Sequence, residues 1–180
     1  MHGIVSHQST TLKGENLRLN GLAACLVAAL STMSTGVFAG SDAPFPKDWQ
    51  TWPVTHSGAI PGSASVISPD LPTIVKETFK TYNWVAEGKG SAYNVRLSAQ
   101  AKGPAAARNG KFADGDSAVL ELTDAKVLLV TSHLLGEPQY GVYGYDGKDL
   151  SGAHPSLAGK VCNTCHSGYS EACVAGVCSK

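Results

Sequence analysis

The feature that most constrains this chain is a run of five residues near its C-terminus, Cys162-Asn163-Thr164-Cys165-His166. Two cysteines three residues apart, followed directly by a histidine, form the C-x-x-C-H pattern to which c-type haem is attached. On a helix, residues three and four apart lie on one face, so both thiols reach the vinyl groups of one porphyrin while the imidazole points at the iron. The pattern predicts one covalently bound haem c, held through Cys162 and Cys165, with His166 as an axial metal ligand.

Three other interpretations of these cysteines stay open from the sequence. The first is a disulfide between Cys162 and Cys165, and the second is a zinc site completed by Cys173, Cys178 or His154. The third is a thioredoxin-like redox pair, although that motif belongs to a βαβ unit and Cys162 is expected to follow a loop. Haem is favoured because the histidine follows at once and because the chain carries the marks of an exported protein.

The N-terminal segment is typical of a secretory signal peptide. Residues 1–20 are polar, an apolar run follows from Leu22 to Leu30, and small residues then lead to Val37-Phe38-Ala39. The side chains at −3 and −1 suit signal peptidase, so we expect a signal peptide over 1–39. The apolar run is too short to span a bilayer. The alternatives are a retained membrane anchor and a lipoprotein box that ends at Cys25.

Export places the mature chain, residues 40–180, in the bacterial periplasm or outside the cell, where cysteines are usually paired or ligated. A local disulfide between Cys173 and Cys178 is therefore expected, with free thiols or a metal site as alternatives. The 141 remaining residues suit a single domain with its own core. Their net charge of about −1 argues against nucleic acid or an anionic membrane as a partner.

The hydrophobic pattern predicts an α+β fold, a small antiparallel β-sheet with flanking helices. Residues 40–70 are rich in Pro, Gly and Ser and are expected to be loop with one short helix. Apolar residues three and four apart predict a helix over 70–87, and a short helix is expected over 104–109. Strands are predicted over 92–98, 116–122, 126–132 and 140–145. The short turn between the second and third of these strands indicates an antiparallel hairpin.

The second axial position of the iron separates electron carriers from ligand-binding haems. Both methionines, Met1 and Met33, lie in the predicted signal peptide, so cleavage excludes the common His/Met ligand pair. The remaining candidates for a sixth ligand are the other histidines of the mature chain, His56, His133 and His154. Each of them is more typical of surface or packing positions, and the sequence therefore favours a five-coordinate iron.

Several short motifs resemble the cytochrome P-460 and cytochrome c′-beta family, and they follow one another in that family's order. Phe45 to Trp52 is similar to its opening, and Asn109 to Gly115 resembles its G-x-F-x-D-G turn. Val119 to Leu122 and Tyr140 to Tyr145 resemble two of its strands, which precede the C-x-x-C-H pattern. The resemblance implies a single mono-haem c-type cytochrome domain over 40–180.

The resemblance also implies which residues lie beside the haem. In the hydroxylamine-oxidising members, a lysine on the first of these strands is bonded to the ring, and Leu120 stands at the matching place. Strand alternation puts Ala118 and Leu122 on the same face as Leu120, with Glu121 on the opposite, solvated face. We expect Leu120 and Phe112 to contact the cofactor in an apolar pocket, with Phe79 and Tyr93 as further candidates for a distal cap.

These features predict a haem- and iron-binding protein that takes up small gases such as NO or CO, with a redox partner protein. The alternatives are a bis-His electron-transfer cytochrome and a P-460-like oxidoreductase acting on hydroxylamine or NO. The sequence assigns no catalytic acid or base, and it places Arg96 at the surface rather than on a haem propionate. The family's tendency to dimerise allows a homodimer.

Overall fold

A five-stranded antiparallel sheet forms the centre of the protein, whose computed structural model describes residues 41–178. Strands that are consecutive in the chain are neighbours in the sheet, so the sheet order is the sequence order. The strands are β1 (Val54–Pro61), β2 (Gly90–Leu97), β3 (Ser117–Leu122), β4 (Val127–Leu134) and β5 (Glu137–Gly144). The sheet and its helices confirm the predicted α+β class, while the predicted signal peptide lies outside the described residues.

Four helices and a small C-terminal hairpin surround this sheet. The helices are α1 (Thr73–Tyr82), α2 (Val85–Gly88), α3 (Lys102–Ala107) and α4 (Gly159–Gly168). Two 3-10 turns, Trp49–Thr51 and Pro155–Leu157, precede β1 and α4, and the hairpin consists of β6 (Cys173–Val174) and β7 (Val177–Cys178). Within residues 41–178, no helix has the length and apolar character needed to cross a membrane.

The four predicted strands are confirmed as β2 to β5, with ends shifted by a few residues. The predicted hairpin is confirmed as well, since β3 pairs with β4 from Ser117 opposite Ser132 to Leu122 opposite Val127. A tight turn leads into β3, because the Asp116 carboxylate accepts a 2.8 Å hydrogen bond from the Ala113 amide. Sequence predicted these strands well because their Val- and Leu-rich alternation is a local property.

Strand β1 is the main element that the prediction over 40–70 missed. It pairs with β2 from Val54 opposite Arg96 to Pro61 opposite Gly90, although most of its side chains are exposed. Its sequence, Val-Thr-His-Ser-Gly-Ala-Ile-Pro, has no apolar alternation, so pairing with β2 at the sheet edge defines it rather than a hydrophobic pattern. Pro61 stands at the end of the strand, where a missing amide hydrogen is tolerated.

The predicted helix over 70–87 is confirmed over Thr73–Tyr82 and is wrong in its last five residues. Helix α1 ends at Tyr82, and within the short turn α2 both Ala86 and Glu87 have left-handed backbone angles, with φ of 51° and 58°. The indole of Trp84 stands at the break and donates to the Thr81 carbonyl and to Ser156 Oγ, both at 2.9 Å. A tertiary contact thus interrupts a helix that the apolar spacing alone would continue. The short helix α3 ends at Ala107, two residues before the end predicted from the sequence at 109.

The sheet is covered on both faces, which we call the Leu120 face and the Val119 face after residues of β3. On the Leu120 face, Leu122 packs with Ile60 and Val85, and Ala118 packs with Leu97. On the Val119 face, the N-terminal segment supplies Ala43, Trp49 and Trp52 to a second cluster, together with Leu128, Val130 and Tyr143. The predicted separation of these side chains into two faces is confirmed.

The expectation that Glu121 is solvated is wrong, although the residue does lie on the Val119 face. Its side chain is 8% exposed and accepts hydrogen bonds from Arg96 Nε at 2.8 Å, Asn94 Nδ2 at 3.1 Å and the Tyr145 hydroxyl at 2.8 Å. Arg96 also donates to the Trp52 carbonyl, so its guanidinium is part of this network rather than a surface group. The prediction of a surface role for Arg96 is therefore wrong.

Candidate functional site

Helix α4 carries the two cysteines and the histidine that sequence singled out. It begins after Leu157, a side chain only 2% exposed that anchors the preceding turn in the core. Cys162 is buried, while Cys165 and His166 are half-buried on the same side of the helix. The three side chains are therefore presented inward, towards β5 and the Leu120 face.

Both thiols of the C-x-x-C-H run are free in the part of the chain that the structure describes. The interpretation of Cys162 and Cys165 as a disulfide is wrong. The other two cysteines, Cys173 and Cys178, form a disulfide with each other, as the sequence predicted. The chain thus keeps two thiols unpaired on one turn of a helix.

A zinc site built on these thiols has no further ligands to complete it. Across residues 41–178, the one group of side chains spaced to hold a metal is His166 with Cys173 and Cys178, whose two sulfurs are bonded to each other. His154 stacks on Trp84, with ring centres 3.8 Å apart, and its Nδ1 contacts Ser156 Oγ at 2.8 Å. A structural zinc needs four donors, and this arrangement does not gather them around Cys162 and Cys165.

The surroundings of the two thiols do not favour thiolate chemistry. Burial raises the pKa of Cys162 to about 11, and burial together with the nearby Glu77 charge raises the pKa of Cys165. Reactive cysteines instead have a lowered pKa next to a cation or a helix N-terminus. Cys162 also lies within a helix that follows a turn and not a strand, so the thioredoxin-like interpretation lacks support in geometry and in chemistry.

Two tyrosines border the thiols from different elements. Burial, followed by the nearby charges of Cys162 and Cys165, raises the pKa of Tyr140 on β5 to about 12 and also raises that of Tyr82 on α1. The sequence placed Tyr140 at the start of a predicted strand, and no local pattern relates either tyrosine to the C-x-x-C-H run. Only the approach of α1 and β5 to α4 shows that these hydroxyls belong to the site.

His166 is held between the sheet and the C-terminal hairpin. Its ring centre lies 5.1 Å from that of Tyr140, and its Nδ1 lies 3.5 Å from the sulfur of Cys178. Burial lowers the pKa of His166, and a backbone hydrogen bond with Gly176 opposes this shift only in part. The imidazole is thus kept in the neutral form, the form in which histidine coordinates a metal.

Leu120 lies where the sequence placed it, on the sheet face turned towards the helices. It pairs with Val95 on one side and Leu129 on the other, and it belongs to the same apolar cluster as Phe79 and Tyr82. Tyr82 also borders the thiols of α4, so the Leu120 cluster adjoins the C-x-x-C-H turn. The cluster offers no amine at the position of Leu120.

Phe112 borders an open cavity of about 530 Å³ on the same face of the sheet. Its ring is 7% exposed and stacks on that of His133 at 4.2 Å. The cavity is lined by Val95 and Leu97 of β2, by residues of α3, and by Cys178, the neighbour of His166. Phe112 and Cys178, whose sulfur lies 3.5 Å from His166 Nδ1, thus border one largely apolar space.

The three histidines considered as sixth ligands differ in their contacts. His133 is 2% exposed, with Nδ1 2.9 Å from the Asp116 carbonyl oxygen and Nε2 2.8 Å from that of Ala175. His154 is stacked on Trp84 as described above. His56 lines the cavity, and its Nε2 lies 3.3 Å from the Tyr93 hydroxyl. Only His56 therefore faces the space that Cys178 and Phe112 border.

No family model, no curated protein and no solved structure matches this chain.

Proposed function

We propose that this protein is an exported mono-haem c-type cytochrome, with haem c bound covalently through Cys162 and Cys165 and with His166 as an axial ligand. The observation that carries the proposal is the state of the four cysteines within residues 41–178. Two are free and share one side of α4 with His166, while the other two are joined as a disulfide. This donor set fits haem c, which needs two thiols and an adjacent neutral imidazole.

The apolar surroundings favour the binding of neutral gases. A ferrous haem with a single protein ligand offers its open coordination position to diatomic molecules such as NO and CO. The mature chain has no methionine, and both His133 and His154 are engaged in contacts elsewhere. Leu120 and Leu129 of the sheet and Phe79 of α1 supply apolar surface, in keeping with the resemblance to the c′-beta members.

The decisive experiment is production of the chain in a bacterial host that matures c-type cytochromes. Intact mass is expected to show one haem added to a chain cleaved after Ala39, and absent from a variant with Cys162→Ala and Cys165→Ala. Absorption spectra of the oxidised, reduced and CO-treated protein are expected to show high-spin iron that binds CO. A colourless wild-type protein would contradict haem attachment, and a reduced spectrum indifferent to CO would contradict gas binding.

A bis-His electron carrier is the second candidate, because His56 lines the cavity that Cys178 also borders. If His56 is the sixth ligand, His56→Ala is expected to change low-spin iron into high-spin iron. His154→Ala is the matched control, since His154 packs on Trp84 in a separate loop. An oxidoreductase acting on hydroxylamine would require a further protein–haem bond, which the same intact-mass experiment on holo-peptides detects.

A further inference from the structure

The last described residues form a very short hairpin that is closed by its own disulfide. Cys173 of β6 pairs directly with Cys178 of β7, and the sulfurs of these two residues are bonded. The turn between the strands is Ala175-Gly176, and both residues have positive φ, of 45° and 75°. The pairing and the disulfide together fix the shape of a segment that is too short to be stable alone.

The turn of this hairpin is seated on the central sheet. The Ala175 carbonyl oxygen lies 2.8 Å from His133 Nε2, and the Gly176 carbonyl accepts a 3.5 Å hydrogen bond from Thr131 Oγ1. A Cβ at position 176 would stand 2.8 Å from Pro138 Cβ and 2.9 Å from the Tyr140 hydroxyl oxygen. Glycine therefore allows the turn to approach β4 and β5 this closely.

The hairpin also contacts His166. Nδ1 of the ring lies 3.5 Å from the sulfur of Cys178, and the ring shares a backbone hydrogen bond with Gly176. Tyr140, on which the turn rests, packs against the same ring at 5.1 Å. The His166 ring is thus contacted by the turn between β6 and β7, by the disulfide and by the sheet.

We infer that the disulfide-closed hairpin 173–178 is the positioning element of His166, fixing its ring orientation and the strength with which it binds a metal. This inference rests on the proposed function, because it concerns the axial ligand of the haem. Hydrogen bonds to the outer nitrogen of a ligating histidine fix the ring and raise its basicity. Nδ1, which lies 3.5 Å from the Cys178 sulfur, would be that outer nitrogen.

Reduction of the Cys173–Cys178 disulfide tests the inference, because the same haem-containing protein is measured before and after the bond is broken. A small dithiol attacks the exposed sulfur of Cys178, the S–S bond breaks, and two thiols form while the dithiol becomes a cyclic disulfide. The thioether bonds of a c-type haem are carbon–sulfur bonds and do not exchange. Alkylation followed by mass measurement verifies that Cys173 and Cys178 have become free.

The readouts are the iron–histidine stretching band of the ferrous protein in resonance Raman spectra and the reduction potential. On opening, we expect the band to move to lower frequency and the potential to rise, because a less basic imidazole donates less charge to the iron. Both shifts are expected to reverse on reoxidation. A variant with Cys173→Ala and Cys178→Ala is expected to show the shifted values at once and no response to the dithiol. An unchanged band and potential with the disulfide proven open would overturn the inference.

Failure of the proposed function is detected separately, because intact mass shows directly whether haem is attached. In a haem-free protein, the effect of the hairpin on His166 is measured from the ¹⁵N NMR chemical shifts of its ring nitrogens before and after dithiol treatment. We expect these shifts to change for His166 and not for His154, which contacts only its own loop and Trp84. Unchanged His166 shifts would overturn the inference in that case as well.

Discussion

At the scale of single residues, the least expected group in this protein is the carboxylate of Glu121. Burial by itself raises its pKa, but hydrogen bonds from Arg96, Asn94 and Tyr145 outweigh burial and hold the pKa below its usual value. A buried charge that loses its partner destabilises a protein strongly, whereas the complete pair is close to neutral in stability. Removing the charge of Glu121 or of Arg96 alone is therefore expected to destabilise the protein.

Replacing Glu121 by glutamine is expected to lower the free energy of unfolding at pH 7 by about 3 kcal/mol, because Arg96 keeps its burial without its charge partner. The folded pKa of Glu121 lies below the unfolded one, so its contribution is complete above the unfolded pKa of about 4.3 and disappears as pH falls through the folded pKa. The difference between Glu121→Gln and wild type should shrink in that acidic range.

Urea unfolding followed by circular dichroism at pH 7 and at decreasing acidic pH measures this difference. Glu137→Gln is the control, because Glu137 is exposed at the start of β5 and is expected to have little effect. A loss of stability for Glu121→Gln that stays constant down to the lowest pH would contradict the assignment.

Gly176 and Gly136 provide a matched pair at the same scale. Both have φ near 80°, of 75° and 80°, but a Cβ at 136 would meet open space while one at 176 would meet Pro138 and Tyr140. Gly136→Ala is expected to cost about 1 kcal/mol for its backbone angle alone. Gly176→Ala should cost about 1–3 kcal/mol more, because of overpacking. Equal losses in thermal unfolding would show that the hairpin does not approach the sheet closely.

At the scale of elements, the break between α1 and α2 links two parts of the chain that flank the site. The Trp84 indole reaches from this break to Ser156 in the turn before α4, and the ring stacks on His154. The same residue that ends helix α1 thus supports the start of the helix that carries Cys162.

A double-mutant cycle tests this link between elements. Trp84→Phe removes the Nε1 donor and Ser156→Ala removes its acceptor, and each is expected to lower stability by about 1 kcal/mol. Because the two groups bond to each other, the double variant should lose less than the sum of the single losses, with a coupling of at least about 0.5 kcal/mol. Additive losses of unfolding free energy, measured by urea unfolding, would mean that this hydrogen bond does not couple the two elements.

At the scale of the whole molecule, the Val119 face and the Leu120 face of the sheet carry different parts of the structure. The N-terminal segment closes the Val119 face with Trp49 and Trp52 and completes a core without any of the candidate site residues. The Leu120 face instead carries the cavity, the helices and the thiols. The candidate site residues thus lie on one side of the sheet, and the core closed by the N-terminal segment lies on the other.

Trp49→Ala is expected to cost about 3–5 kcal/mol, because the indole is 3% exposed and its removal leaves a cavity beneath β3 and β4. Val66→Ala is the control, since Val66 is 96% exposed and should change stability by less than about 0.5 kcal/mol. Denaturation followed by circular dichroism compares the two. A small loss for Trp49→Ala would show that the N-terminal segment is not part of the core.

Much of the sheet was predictable, because alternating apolar residues in β3, β4 and β5 specify extended structure within a few residues. The edge strand β1 was not, since its exposed side chains carry no such pattern and its geometry comes from hydrogen bonds to β2. The residues of the candidate site likewise divide into those that the sequence could predict and those that it could not. Cys162, Cys165 and His166 are contiguous in sequence, whereas Tyr82, Tyr140 and Gly176 reach them only through the packing of separate elements.

The sequence by itself determined the helical spacing of two thiols and an imidazole, the hairpin of β3 and β4, and the pairing of Cys173 with Cys178. Each of these depends on residues only a few positions apart, where covalent geometry limits the outcome. The tertiary structure alone decided the burial of Glu121, the break at Trp84 and the seating of the hairpin against His166. These depend on contacts between residues far apart in the chain, whose energies no local pattern encodes.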